Sequence, residues 1–264
     1  MLDPDSALTR PILWVGLAAV LTLLVVRSVT KDRKQYQRFK RYRSTAKRQA
    51  MFRKWLLESF LLFGGLSAVT ALLAWDYLGP LLQEMTTWPV VQGIRGWLTN
   101  NSELAVGIAI GVVVATVGLT VFGVVAARRE QEIPTVGDIR SMLPRNRQEL
   151  GLGALLSINA GIVEELLFRL ALPALIYGAS GSAIGAVLAS VLLFGALHIY
   201  QGVWGVAGTT VIGTILMGLY AVSGTIILPI VVHALFNLRS LVLIPVAVNG
   251  VHKVDGALIK PPRA

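Results

Sequence analysis

The chain has 264 residues, of which 55% are hydrophobic and 14% are charged. Soluble domains are about one quarter charged, so this composition argues against a soluble protein. The absence of cysteine excludes disulfide bonds, thiolate metal ligands and a cysteine nucleophile. The net charge is +10, but 12 of the 24 Lys and Arg residues lie between Arg27 and Lys54, directly after an apolar run. That distribution is typical of a membrane topology signal, and we expect no nucleic-acid partner.

Apolar runs of about 20 residues recur along the chain, which is the length that a helix needs to cross a hydrocarbon core of about 30 Å. A bilayer also requires that backbone polar groups be satisfied within the spanning segment, which favours helices. The sequence therefore predicts an all-α integral membrane protein, a bundle of about seven transmembrane helices. In chain order the predicted spans are 11–29, 55–75, 104–127, 151–177, 182–201, 203–222 and 225–247.

Basic residues set the predicted orientation of these spans. The segments 27–54, 128–150 and 251–264 contain 12, 5 and 3 of them, which is 20 of the 24. The positive-inside rule then predicts an N-terminus outside and a C-terminus in the cytoplasm. We also expect segment 27–54 to contact anionic lipids, because basic residues beside a span attract them. This asymmetry, together with an N-terminus that is not signal-like or transit-like, favours a multi-pass protein of a bacterial inner (plasma) membrane.

Interior polar residues divide the predicted spans into two groups. The first three spans contain almost none, and the last four contain nearly all of them. Pro134 and Pro144, among charged residues, predict an interfacial linker between the groups. The predicted regions are a three-span region at 1–127 with a basic cytoplasmic loop at 27–54, a cytoplasmic linker at 128–150, a four-span core at 151–247 and a cytoplasmic tail at 248–264.

Three ionisable side chains lie close together in the middle of the fourth predicted span: Glu164, Glu165 and Arg169. Each ionised side chain at the bilayer centre costs about 2.5–3.5 kcal/mol on insertion scales, so we expect the cluster to have a function. Glu165 and Arg169 are four residues apart, share a helix face and can pair. Glu164 points about 100° away and needs a partner on another helix. A structural ion-pair network would explain Glu165 and Arg169 but not Glu164, which we expect to act as a general base.

Polar side chains of the fifth and seventh predicted spans complete the set. His198 shares a helix face with Phe194, and His233 shares one with Asn237, each at a spacing of four residues. A single histidine in a membrane helix is usually a hydrogen-bonded helix contact, but this combination predicts a catalytic site. Helix lengths place Glu164 and His198 at a similar depth. They place His233 about 10 Å nearer the outer side, which a helix tilt or break would have to correct.

Together the motifs resemble those of the CPBP intramembrane proteases, which comprise the CAAX prenyl proteases and the bacteriocin-processing, Abi-type enzymes. The motifs are Glu-Glu-x-x-x-Arg at 164–169, Phe-x-x-x-His at 194–198 and His-x-x-x-Asn at 233–237. The resemblance implies hydrolysis of a peptide bond of a membrane-associated protein or peptide within a membrane cavity. It implies that Glu164 activates a water molecule that His198 helps to hold.

The resemblance also implies roles for the remaining motif residues. His233 and Asn237 would stabilise the oxyanion, as fixed donors in a dry site can. Glu165 and Arg169 would orient the site through their pairing. Phe194 would pack beneath the histidine of its own motif.

A metal ion is a separate question, because the family is named as metalloproteases and a metal-free glutamate mechanism has also been argued for it. Glu164, His198 and His233 could supply three ligands to Zn²⁺, with water as the fourth. Against this, the chain has no His-Glu-x-x-His motif, and the amide of Asn237 is a poor zinc ligand. These features favour a site without a cofactor.

Three alternatives remain open on the sequence. Gly178-Ala-Ser-Gly181 matches the Gly-x-Ser-Gly of rhomboid proteases, in which Ser180 and His233 would form a dyad, although such residues are also typical of an external turn. Intramembrane Glu and His also occur in proton-coupled transporters and channels. The third alternative is a non-catalytic membrane scaffold that binds partners through residues 31–54.

Overall fold

The computed structural model describes residues 6–104, 138–255 and scattered positions between 106 and 125. Every regular element within these residues is a helix, so an all-α protein is confirmed for this part of the chain. A π-helical turn is counted here as part of the helix that contains it. The helices are α1 (Thr9–Lys40), α2 (Thr45–Leu73), α3 (Trp75–Thr87), α4 (Pro89–Asn100), α5 (Arg147–Ser180), α6 (Ala183–Leu197), α7 (Val203–Ser223) and α8 (Ile227–Asn249).

Five of the helices, α1, α2, α5, α7 and α8, are long and apolar enough to cross a membrane, and they correspond to five of the predicted spans. α6 is apolar but has only 15 residues, because a short 3-10 turn follows it and Gly202 then adopts a positive φ of 80°. The predicted span at 104–127 lies largely outside the described residues. The structure supports a multi-pass membrane protein, and the number of seven spans and the orientation of the termini stay predictions.

Segment 27–54 is helical, whereas the sequence predicted a loop. α1 and α2 extend through it and leave only residues 41–44 as a connection. The end of α1 is amphipathic, with Gln35, Tyr36 and Phe39 buried and the basic side chains around them exposed. The sequence analysis did not foresee these helices, because three buried positions at helical spacing are a weak signal among so many charged residues. That the segment is a cytoplasmic connection between two spans stays a prediction.

Arg48 of this basic segment is buried. Its Nε lies 3.0 Å from both carboxylate oxygens of Glu149, and its Nη atoms donate to the carbonyl oxygens of Ser141 and Leu143 at 3.0 and 3.1 Å. Asn146 caps α5 by accepting a hydrogen bond from the backbone N–H of Glu149. These contacts hold α2 against the first turn of α5 and make Arg48 unavailable to lipid headgroups, whereas most of the other basic residues are exposed.

α5 and α8 run antiparallel and approach each other closely at two glycines. A Cβ placed on Gly161 would lie 2.9 Å from the Cβ of Ala234, and one placed on Gly153 would lie 3.3 Å from the carbonyl oxygen of Leu241. Larger side chains at these positions would push the helices apart, as expected for membrane helices that pack through small residues. The two contacts set the register in which the middle of α8 lies beside the middle of α5.

We expect Arg48→Ala to lower the free energy of unfolding by about 3–5 kcal/mol, because Glu149 would keep a buried charge without a cation. Thermal unfolding of the purified protein in detergent measures this loss. Lys47→Ala, which changes an exposed neighbour, is the matched control and should shift stability by less than about 0.5 kcal/mol. Equal stability of the two variants would contradict a structural role for the ion pair.

Candidate active site

A cavity of about 770 Å³ lies between the helices, and all four predicted catalytic side chains are in its wall. Glu164 comes from α5, His198 follows α6, and His233 and Asn237 come from α8. The structure thus brings together residues from three parts of the chain. Helices outside the predicted four-span core also contribute to the wall, with Arg27, Asp32 and Tyr36 of α1 and Trp55 of α2.

Glu165 is fully buried between a guanidinium group and an imidazole. Its Oε1 lies 3.0 Å from Nη1 of Arg169 and 2.6 Å from Nδ1 of His233. The pairing with Arg169 that the four-residue spacing predicts is present, and the contact with His233 was not predicted. Because an ionised carboxylate only accepts hydrogen bonds, Nδ1 of His233 carries the proton in this contact. Glu165 therefore orients the imidazole ring from the neighbouring helix.

Arg169 is 1% exposed and joins α5 to two further helices. Its guanidinium carbon lies 4.3 Å from the centre of the Phe194 ring on α6. Its Nη2 donates to the carbonyl oxygen of Gly213 on α7 at 3.4 Å. A Cβ on Gly213 would lie 2.9 Å from Cδ1 of Phe194, so a glycine is required for this arrangement. Arg169 thus supports the site from behind, and it is absent from the cavity wall.

Both imidazoles use Nδ1 for a protein contact and leave Nε2 for the cavity. Nδ1 of His198 lies 2.7 Å from the carbonyl oxygen of Phe194 and donates to it, because a carbonyl oxygen only accepts. Nδ1 of His233 is engaged by Glu165. The Phe194 ring centre lies 4.9 Å from that of His198 and 6.2 Å from that of His233. The predicted contact between Phe194 and His198 is present, and the same ring also supports the second histidine.

Glu164 faces the cavity with a side chain that is 19% exposed. Nε2 of His233 lies 3.9 Å from its Oε2, which is too far for a direct hydrogen bond. Within the described residues no Lys or Arg side chain lies at ion-pairing distance from Glu164. The partner expected on another helix is therefore an imidazole. Asn237 lies one helical turn after His233 and lines the same cavity.

The depth that helix lengths predicted for His233 is wrong. That count assumed that the outer ends of α5 and α8 are level. Instead the close contact of Gly161 with Ala234 sets the register, and the histidine directly before Ala234 comes beside Glu164 and Glu165. Gly161, three residues before the first motif, was the available signal, and counting residues from helix ends does not use it.

Ser180 lies far from His233, which makes the rhomboid-like dyad wrong. Its hydroxyl donates to the carbonyl oxygen of Ile176 at 2.7 Å, at the C-terminal end of α5. From Glu165, which contacts His233, to Ser180 the helix rises about 22 Å along its axis. The glycine after Ser180 has φ of 74° and ends the helix, as the alternative interpretation of a turn requires.

The predicted zinc ligands do not form a compact set. Within the described part of the chain, no group of three or more His, Cys, Asp and Glu side chains has the geometry to hold a metal ion. Glu164, His198 and His233 share one cavity, and each imidazole uses Nδ1 for a protein acceptor and leaves Nε2 towards the cavity, as metal-ligating histidines also do. A site without a cofactor stays a prediction.

Three aromatic side chains of the cavity wall were not predicted as site residues: Tyr36, Trp55 and Tyr200. The Tyr200 ring centre lies 5.8 Å from that of His198 and 5.4 Å from that of Tyr36. Nε1 of Trp55 donates to the side chain of Gln35 at 2.8 Å. Tyr36 and Trp55 lie within and directly after the basic segment, where aromatic rings are also typical of an interfacial position, and Tyr200 had no comparable sequence signal.

These observations define a class of protein. Apolar helices enclose a cavity in which a carboxylate that has no Lys or Arg partner among the described residues shares the wall with two imidazoles and an amide. This arrangement is suited to an intramembrane hydrolase. Residues 146–239 match the family model described as type II CAAX prenyl endopeptidase Rce1-like. This segment is therefore similar to a domain of that protease family, and the match confirms the resemblance that the motifs indicated.

The matched segment begins at the residue that caps α5 and ends within α8, so it contains all seven residues of the three motifs. It covers just over a third of the chain and does not include α1 or α2. Neither the comparison with curated proteins nor that with solved structures found a match.

We expect Gly161→Ala to lower stability by about 1–3 kcal/mol, because the added Cβ would overpack the contact with Ala234. Gly151→Ala on the same helix is the control, since a Cβ there meets nothing within 4 Å and alanine favours a helix. Thermal unfolding of the two purified variants in detergent compares them. If Gly161→Ala is as stable as Gly151→Ala, the close approach of α5 and α8 is incorrect.

Proposed function

We propose that this protein is an intramembrane endopeptidase in which Glu164 activates the attacking water. One observation carries the proposal: Glu164, His198, His233 and Asn237 line a single cavity, and Glu164 has no Lys or Arg partner within the described residues. A carboxylate that has no permanently charged Lys or Arg partner keeps its ability to accept a proton from water. The name of the matched family points to a prenylated CAAX C-terminus as the substrate, and we adopt this membrane-associated class for the chain.

The proposed reaction begins when Glu164 accepts a proton from a water molecule that Nε2 of His198 holds. The water oxygen attacks the peptide carbonyl carbon, and the negative charge moves to the carbonyl oxygen. The side-chain amide N–H of Asn237 and the Nε2–H of His233 then donate hydrogen bonds to this oxyanion. When the C–N bond breaks, the leaving nitrogen takes the proton from Glu164, which restores the carboxylate.

In this mechanism His233 carries protons on both ring nitrogens. Nδ1–H donates to Glu165, and Nε2–H remains for the oxyanion. Glu165 is in turn held by Arg169, so the second glutamate and the arginine act by positioning.

We also propose a membrane environment for this reaction. The chain would cross a bacterial inner membrane seven times, with its N-terminus outside and its C-terminus in the cytoplasm. The excess of basic residues in segments 27–54, 128–150 and 251–264 supports this orientation. The exposed basic side chains of segment 27–54 would contact anionic lipids, with the buried Arg48 excepted.

We expect Glu164→Gln to lower kcat at least about 1,000-fold, because the amide cannot accept the proton from water. The measurement is cleavage of a farnesylated CAAX peptide by the purified protein in proteoliposomes, followed by mass spectrometry. Ser180→Ala should retain activity, since Ser180 is remote from the cavity. If the protein cleaves no peptide but supports a solute or proton flux that Glu164→Gln slows, it is a transporter. If it shows neither cleavage nor flux, it is a scaffold.

We expect cleavage to survive removal of divalent metal ions. Treatment with 1,10-phenanthroline, followed by dialysis against metal-free buffer, should leave the rate within about twofold of the untreated protein, because the proposed steps use protein groups alone. Metal analysis of the same samples serves as the control. Loss of activity that Zn²⁺ restores would contradict the metal-free mechanism and leave the peptidase assignment in place.

A further inference from the structure

The cavity wall contains two acids, Asp32 and Glu164, and two arginines, Arg27 and Arg239. Arg27 is neutralised locally, because its Nε lies 3.3 Å from Asp32 and its Nη2 lies 3.1 Å from Glu58. Glu164 is assigned to the reaction by the proposed function. Arg239 is therefore a cation of the cavity that has no assigned role and, among the residues that the structure describes, no counterion.

Arg239 lies in an apolar helix that is a candidate membrane span. Its Nε donates to the hydroxyl of Thr120 at 2.7 Å, and within the described residues no carboxylate lies at ion-pairing distance from it. A neutral hydroxyl does not balance the charge. Inserting an ionised arginine in a membrane helix costs about 2.5–3.5 kcal/mol on insertion scales. An anion that binds the guanidinium group would offset this cost.

The position of Arg239 relative to the site limits what that anion can be. It follows His233 by six residues on α8, which is about 9 Å along the helix axis. The wall of the cavity continues past it to Leu241 and Ile244. An extended peptide advances about 3.3 Å per residue, so a chain whose carbonyl lies between Glu164 and His233 reaches Arg239 with about its third following residue.

We propose that Arg239 binds the C-terminal carboxylate of the substrate peptide and so selects chains that end shortly after the cleaved bond. The inference rests on the proposed function, which places the cleaved bond at Glu164. The Nη groups of a guanidinium can donate two parallel hydrogen bonds to a carboxylate, and this geometry is stronger than a contact with a neutral group. An anion on the substrate would also neutralise the charge that the protein leaves unpaired.

The test compares two farnesylated peptides of one sequence that end in Cys-Val-Ile-Met, one as the free acid and one as the C-terminal amide. Binding is measured by fluorescence anisotropy with the full chain in phosphatidylcholine nanodiscs, in the Glu164→Gln background so that no turnover is needed. We expect the acid to bind about 10- to 100-fold more tightly than the amide. Arg239→Gln should abolish this preference by weakening the binding of the free-acid peptide alone, and Arg239→Lys should retain part of the preference.

Lys34→Gln is the control, because it removes an exposed cation outside the cavity wall and should leave the ratio of acid to amide affinity unchanged. Equal affinities of the two peptides, no binding of either, or equal weakening of both by Arg239→Gln would overturn the inference. The inference would also be overturned if Arg239→Gln kept the ratio of acid to amide affinity and native mass spectrometry showed that the variant had lost bound phosphatidylglycerol. That result would assign Arg239 to a lipid headgroup. Acid-selective binding without cleavage by the unmodified chain would instead overturn the proposed function.

Discussion

Two carboxylates follow each other on α5, and their side chains have different surroundings. A buried carboxylate is costly unless hydrogen bonds and a cation satisfy it, and Oε1 of Glu165 has both, a contact with Arg169 and a hydrogen bond with His233. Glu164 has no Lys or Arg partner within the described residues and faces the cavity. The proposed chemistry depends on this division, because the same interaction that neutralises Glu165 orients His233 and leaves Glu164 able to accept a proton.

Close helix packing makes this division possible. Gly161 lets α8 approach α5, and Gly213 leaves room for the Phe194 ring against which Arg169 lies. In a bilayer the helices gain little from the hydrophobic effect between them, so small residues and interhelical polar contacts determine how they pack. The site is therefore held by contacts between the four helices α5 to α8. The N-terminal region adds to it through the ion pair of Arg48 with Glu149 and through residues of α1 and α2 in the cavity wall.

Sequence reasoning succeeded where a contact lies within one helix. The spacing of four residues correctly indicated that Glu165 can pair with Arg169 and that Phe194 contacts His198. It failed where the contact depends on the register between helices, as for His233. It also missed Arg48, because a basic residue in a basic segment carries no local sign that an acid 101 positions away will bury it. The family match supports the motifs, but the contribution of α1 and α2 to the cavity required the structure.

The division of roles between the two glutamates is tested most directly by the unfolding free energies of Glu164→Gln and Glu165→Gln, measured side by side in the same detergent. The account predicts that Glu165→Gln loses about 3–5 kcal/mol, because Arg169 would keep a buried charge without an anion. It predicts that Glu164→Gln loses nothing or gains stability, since the carboxylate it removes has no Lys or Arg partner in the part of the chain that the structure describes. Equal losses in the two variants would show that both acids belong to one structural ion-pair network and would contradict the account.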